Sequence, residues 1–231
     1  QKVKRRLLQS DPVYAGMIES LDESVGHILD VIECEGITNE TIIIFTSDNG
    51  GLATSEGSPT CNSPLSEGKG WMYEGGTREP LLIRWPGFIE KNTTCSTPVS
   101  SPDFYPTILE IVGIEPKSDQ HIDGISFLPL LKGEKTLDRD AIYWHYPHYG
   151  NQGGSPGSSI RCGDYKLIEF FEDDRVELYN LRDDIQETNN LAEVEPIVCK
   201  RLHNLLIAWR EKVEAKIPQK NPNWHRQTKH L

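Results

Sequence analysis

The chain has 231 residues, 36% of them hydrophobic and 26% charged, which supplies enough apolar side chain for a sizeable core and excludes disorder over most of its length. A formal net charge of -11 argues against a nucleic-acid backbone as the main partner, although a local basic site can still bind an anion. No run approaches the roughly 20 apolar residues of a membrane span, and the five cysteines, with no C-x-x-C spacing, support neither a zinc nor a redox motif and leave at least one thiol unpaired.

In chain order, the basic cluster Lys2, Lys4, Arg5 and Arg6 leads into a helix, and a start at Gln1 rather than methionine is expected of part of a longer polypeptide. Ser10 and Asp11 before Pro12 form a helix start. Tyr14, Met17, Leu21, Val25, Ile28 and Ile32 then recur at helical spacing until Gly36. A strand is predicted over Thr41 to Thr46, where Ile42 to Phe45 lack the alternation of a half-exposed strand and suit one covered on both faces, as in a parallel sheet. Just past its end stand Asp48, Asn49, Gly50 and Gly51. These residues suit a tight turn; equally, a carboxylate beside an amide oxygen at the carboxyl end of a strand offers hard donors to a divalent cation.

Leu52 to Gly70 reads as a long loop of the kind that is functional or disordered. Pro80 to Trp85 reads as a second short buried strand, and "SPDFYPTILEIVG" as a helix from near Pro102 to Gly113. The charged run Lys132 to Asp140 is a plausible boundary. Beyond it "AIYWHY", "SSIRCGDYKLIEF" and "RVELYNL", separated by Gly, Asp and Asn turns, predict an antiparallel sheet. A last helix from about Glu195 to Lys216 carries Val198, Leu202, Leu205, Leu206 and Trp209 on one face, and the tail "PQKNPNWHRQTKHL" suits a surface strap.

Taken together, "YAGMIESLDESVGHILDVI", "TIIIFTSDNGG", "GKGWMYEGGTREPLLIRWPG", "SPDFYPTIL" and "YKLIEF … VELYNLRDDIQETNNLA" resemble, in order, the C-terminal half of the arylsulfatase-type sulfatases of the alkaline-phosphatase superfamily. The resemblance implies an α/β fold. Residues 1–134 would be the C-terminal part of a mainly parallel, alkaline-phosphatase-like catalytic domain, and residues 135–231 a small subdomain of antiparallel sheet plus helix. It implies that Asp48 and Asn49 ligate an active-site Ca²⁺ or Mg²⁺ and that Lys69, in "GKG", contacts the sulfate group. Without the family, Lys69 would read as an exposed loop lysine. Arg78 fits a position near the site, with pairing to an acid such as Glu74 or Glu79 as its expected role. His145 and His148 sit in a segment rich in aromatics and glycines that suits a pocket mouth, where a histidine can contact substrate or give a proton to a leaving alcohol. His27 and His203 are expected at the surface.

The family's nucleophile is a formylglycine made within C-x-P-S-R or S-x-P-S-R, and neither motif occurs here; Cys61 is followed by "NSPL". The expectation is therefore the C-terminal part of a sulfatase acting on aryl or carbohydrate sulfates, inactive alone and completed by an N-terminal sulfatase part. The alternatives are a non-catalytic sulfated-glycan binding or interaction module, and a phosphodiesterase or phosphonate hydrolase of the same superfamily. The resemblance suggests a periplasmic, secreted or lysosomal location.

Overall fold

The structure, a computed structural model, describes residues 9–117, 119–120, 123–219 and 221–222, so the basic cluster before Gln9 and most of the C-terminal tail lie outside the described residues. The first helix, α1 (Pro12–Cys34), begins where the sequence places it. The Asp11 carboxylate accepts from the Val13 and Tyr14 amides at 2.9 and 3.0 Å, and Gly36 turns the chain away at φ +72°. None of its residues is buried, and its apolar stripe, including Met17, Leu21 and Ile28, faces solvent.

Strand β1 (Ile43–Thr46) pairs with β2 (Leu81–Arg84) in register Ile43↔Arg84 to Thr46↔Leu81. The pairing is antiparallel, not parallel, and Ile44, Phe45 and Leu82 are exposed rather than covered on both faces. The cause is the connection: an irregular loop and the single-turn helix α2 (Glu74–Thr77) return the chain in the opposite direction, where a parallel partner needs a crossover. The next helix, α3 (Phe104–Ile111), follows a 3-10 turn in which Ser100 and Asp103 form a reciprocal capping box, and α4 (Leu128–Leu131) closes this portion.

The second portion is a meander, β3 (Ile142–Tyr146), β4 (Gly157–Cys162), β5 (Tyr165–Phe170) and β6 (Arg175–Asn180), with every neighbour antiparallel, followed by α5 (Pro196–Lys212). Alternation assigns its two faces. Ile160, Leu167 and Leu178 pack on Leu202 and Leu206 of α5, with the Tyr143 and Trp209 rings stacked 4.8 Å apart. Leu205, one of the residues predicted on this face, is exposed, because the row Val198, Leu202, Leu206 and Trp209 leaves it to one side. On the opposite face Ile168, Phe170 and Tyr179 join Met72 and Tyr73, so segments from either side of the Lys132–Asp140 run share one core. All five cysteines are free thiols. No helix among the described residues is long and apolar enough to cross a membrane.

Candidate functional site

The turn after β1 is built by close backbone contact. The Ser47 hydroxyl donates to the Asn49 carbonyl at 2.9 Å, and the buried Gly50 donates its amide to Gly76 O at 3.3 Å. A Cβ on Gly50 would lie 1.7 Å from the Gly75 carbonyl, so only glycine lets this turn press against α2. Gly51 O in turn accepts from the Lys69 amide at 3.2 Å and from Asn62 Nδ2 at 2.8 Å, and Asn62 Nδ2 also reaches Glu67 O at 2.9 Å. The S-D-N-G-G, G-K-G and E-G-G-T-R segments, which are separate in sequence, therefore meet at one place. The side chains of Asp48 and Lys69 are exposed there and form no hydrogen bond or ion pair among the described residues.

Glu79 stands beside Asp48 as the pairing of β1 with β2 runs out. Burial and then the Asp48 carboxylate push its carboxyl up to about 7, and its buried Oε1 has no hydrogen-bond partner among the described residues. No group of three or more His, Cys, Asp or Glu able to hold a metal ion occurs among the described residues. Among the described residues, Asp48 and Glu79 are the two acids that this turn brings near one another.

Behind the turn lies a buried ionic cluster. Lys166 of β5, fully buried, donates to Glu74 Oε1 at 2.9 Å and Thr77 Oγ1 at 3.0 Å and lies 3.6 Å from Glu187 Oε1. Glu187 Oε2 accepts the Glu74 amide at 2.8 Å, and the Ser66 hydroxyl donates to the neighbouring Gln186 O at 2.7 Å. Arg161 and Arg78 lie 3.5 and 3.6 Å from Glu74, so Arg78 takes the structural pairing expected of it. Burial alone would raise Glu74, yet Lys166, Arg161 and Arg78 outweigh it and hold the carboxyl below its usual range. For Glu187 burial outweighs the pull of Lys166 and pushes the carboxyl up to about 7.

The glycine-rich segment after β3 packs against the same loop. Trp71 Nε1 donates to Thr54 Oγ1 and Gln152 O, each at 3.0 Å, and a Cβ on Gly154 would come within 1.9 Å of Gly70 O. His148 is exposed, with its ring 5.4 Å from that of Tyr146, and precedes the Gly150–Gly154 stretch whose Gln152 and Gly154 touch the Lys69 loop. His145 has other surroundings. It pairs in register with Ser158 on the face that carries α5, with Nδ1 2.7 Å from Ser158 Oγ and Nε2 3.0 Å from the Lys216 carbonyl, and the structure does not bring it to the Asp48–Lys69 cluster. His27 is exposed, whereas His203 is half-buried and lies 3.0 Å from Glu169.

The sequence reading did not single out Lys166, Glu187 or the Tyr73–Glu177–Tyr179 triad, in which both hydroxyls donate to Glu177 Oε2 at 2.6 Å. A signal existed for Lys166. In "YKLIEF" it shares the period-two face of Ile168 and Phe170, and a lysine on an apolar face requires a buried acid.

Residues 67–212 match the family described as N-sulphoglucosamine sulphohydrolase, C-terminal, and residues 1–114 match the sulfatase family. A protein of Formosa agariphila named sulfatase is 39% identical over 225 residues, covering 87% of this chain and 40% of its own length. The N-acetylglucosamine-6-O-sulfatase of Bacteroides thetaiotaomicron is 35% identical over 77% of this chain and 31% of its own. A solved protein in complex with its substrate D-glucosamine-2-N,6-O-disulfate superposes with a TM-score of 0.72 at 32% identity, over 87% of this chain and 40% of that one. The chain thus spans less than half the length of the proteins it matches, and the neighbours share the α/β, alkaline-phosphatase-like fold. Matched in order along most of its length, the chain belongs to the sulfatase family and corresponds to its C-terminal portion.

Proposed function

We propose that the protein, in its complete form, hydrolyses sulfate esters of a carbohydrate, this chain supplying part of a cation site and a sulfate-binding lysine. The observation that carries the reading is the meeting of the Asp48–Asn49 turn with Lys69 through the bond from the Lys69 amide to Gly51 O at 3.2 Å. A hard divalent cation, Ca²⁺ or Mg²⁺, suits one carboxylate and one amide oxygen. The carboxylates of Asp48 and Glu79, near enough for one to raise the other, favour positive charge at that place. Since Ca²⁺ takes roughly six to eight oxygens, further donors come from outside the described residues.

When bound, the cation lends positive charge where negative charge develops on the ester. Lys69 binds the sulfate as a mobile point charge, and His148 contacts the sugar or protonates the leaving alcohol. The formylglycine nucleophile belongs to the N-terminal sulfatase part, which we place over the exposed apolar faces of α1, β1, β2 and α3, where Val13, Met17, Leu82 and Ile108 are open to solvent. This chain alone is then inactive. The sulfated amino sugars named for two of the relatives support a sulfated glycan as substrate, and the family likeness fits a periplasmic, secreted or lysosomal setting.

The test is the complete polypeptide assayed on para-nitrophenyl sulfate, para-nitrophenyl phosphate and N-acetylglucosamine 6-sulfate, with and without chelator. Sulfate release that chelation abolishes and Ca²⁺ or Mg²⁺ restores is the expected result. Faster turnover of the phosphate ester would move the protein to the phosphodiesterases, and binding of the sulfated sugar without turnover would make it a binding module.

A further inference from the structure

We propose that Lys166 and Glu187, which lie in the C-terminal sheet and the loop after it, are positioning residues that hold the turn carrying Lys69 in register with Asp48 and Asn49. The proposal rests on the sulfatase reading of that site and extends it to groups that touch neither cation nor substrate.

The path is continuous. Glu187 takes the amide of Glu74 at 2.8 Å and Lys166 takes its carboxylate at 2.9 Å, so α2 is held at its backbone and at its side chain by the second portion of the chain. From α2 two bonds lead forward: the Gly75 amide donates to Ser66 O at 2.8 Å, three residues before Lys69, and Gly76 O accepts from Gly50 at 3.3 Å, next to Asn49. Ser66 is also held from the sheet side, through its hydroxyl to Gln186 O at 2.7 Å. Between these points the backbones are in direct contact, since a Cβ on Gly75 would lie 2.2 Å from Ser66 O and one on Gly76 2.5 Å from Gly68 O. Such a stack has little room to shift in part, so a displacement of α2 moves the Lys69 and Asp48 turns relative to one another.

Burying Lys166 with two carboxylates is an expensive way to join a helix to a sheet, and apolar residues of similar volume often do it as well. What the ionic arrangement adds is direction: each bond fixes an atom of α2, and a misplacement of about 1 Å in a catalytic group can cost roughly a hundredfold in rate.

The experiment is a double-mutant cycle in the complete polypeptide, with hydrolysis of para-nitrophenyl sulfate as the readout and circular dichroism to confirm folding. Glu187→Ala is expected to lower kcat/KM by about tenfold or more with Lys69 present and by less than about twofold in a Lys69→Ala background, because coupled residues are not additive. Glu187→Gln, which keeps an oxygen for the Glu74 amide, should restore most of the loss. Equal losses in both backgrounds, or no loss from a folded Glu187→Ala protein, would overturn the proposal. If Glu187→Ala does not fold, Thr77→Val removes the bond from Lys166 to the Thr77 hydroxyl of α2 without unpairing a buried charge, and is read by the same cycle. Loss of sulfatase activity in Lys69→Ala combined with additive Glu187 effects defeats positioning alone. A wild type without sulfatase activity, or an unchanged Lys69→Ala variant, defeats the sulfatase reading and the positioning proposal with it.

Discussion

Asp48 and Glu187 are both acids, yet their surroundings set opposite tasks. Asp48 is exposed just past the end of a strand, near a second carboxylate, and in the proposed site its task is to hold a cation. Asp48→Ala in the complete polypeptide is expected to weaken Ca²⁺ binding by at least about tenfold, since even outer partners of a metal ligand are worth that much. A calcium titration showing unchanged affinity would remove Asp48 from the site. Glu187 is buried and its carboxyl is raised to about 7, above the 4.5 of an ordinary glutamate. Between these two values the unfolded chain has lost the proton and the folded chain keeps it. Its contribution to stability is therefore complete below pH 4.5 and declines as pH rises through 7. Melting temperatures of wild type and Glu187→Gln measured across this range should diverge in one direction, with the variant gaining on the wild type as pH rises. Parallel curves would show that Glu187 titrates as an exposed acid does.

At the scale of elements, the contact between the turn after β1 and α2 has no side chain in it. Gly50→Ala forces a Cβ against the Gly75 carbonyl and is expected to cost about 1–3 kcal/mol, as other overpacked sites do, and to reduce activity of the complete protein. Urea unfolding checks the first part. On the far side of the molecule α5 is held by Leu202 and Leu206, both without exposed surface. Leu206→Ala should cost about 2–5 kcal/mol, whereas Ile197→Ala, on the exposed side of the same helix, should stay within about 0.5 kcal/mol. Similar losses at both positions would mean that α5 is not seated as described.

The whole molecule is uneven in how it is covered. The four-stranded sheet is packed on both faces, by α5 and by the Trp71–Glu74 segment, whereas α1 has no buried residue and the β1–β2 pair is open. If the N-terminal sulfatase part covers this surface, Leu21→Glu should change the stability of the chain by itself by no more than about 0.5 kcal/mol. The same change should destabilise the complete polypeptide by several times as much. Equal effects in the two would place the N-terminal part elsewhere.

The sequence by itself determined the elements whose signals are local: the Asp11–Pro12 start of α1, the turns of the meander, the helix that begins near Pro102, and the glycines that let the Asp48 turn and the Lys69 loop form. Its ordered motifs were also enough to name the family. Tertiary structure decided what depends on distant partners. Lys166 meets Glu74 across 92 residues and Glu74 meets Glu187 across 113; the local pattern puts Lys166 on an apolar face, but it does not state which acids meet it there. It likewise decided that β1 runs against β2, and that His145 faces α5 while the Gly150–Gly154 segment reaches the Lys69 loop. The reason is that periodicity assigns a residue to a face of its own element, whereas the pairing of elements assigns that face its surroundings.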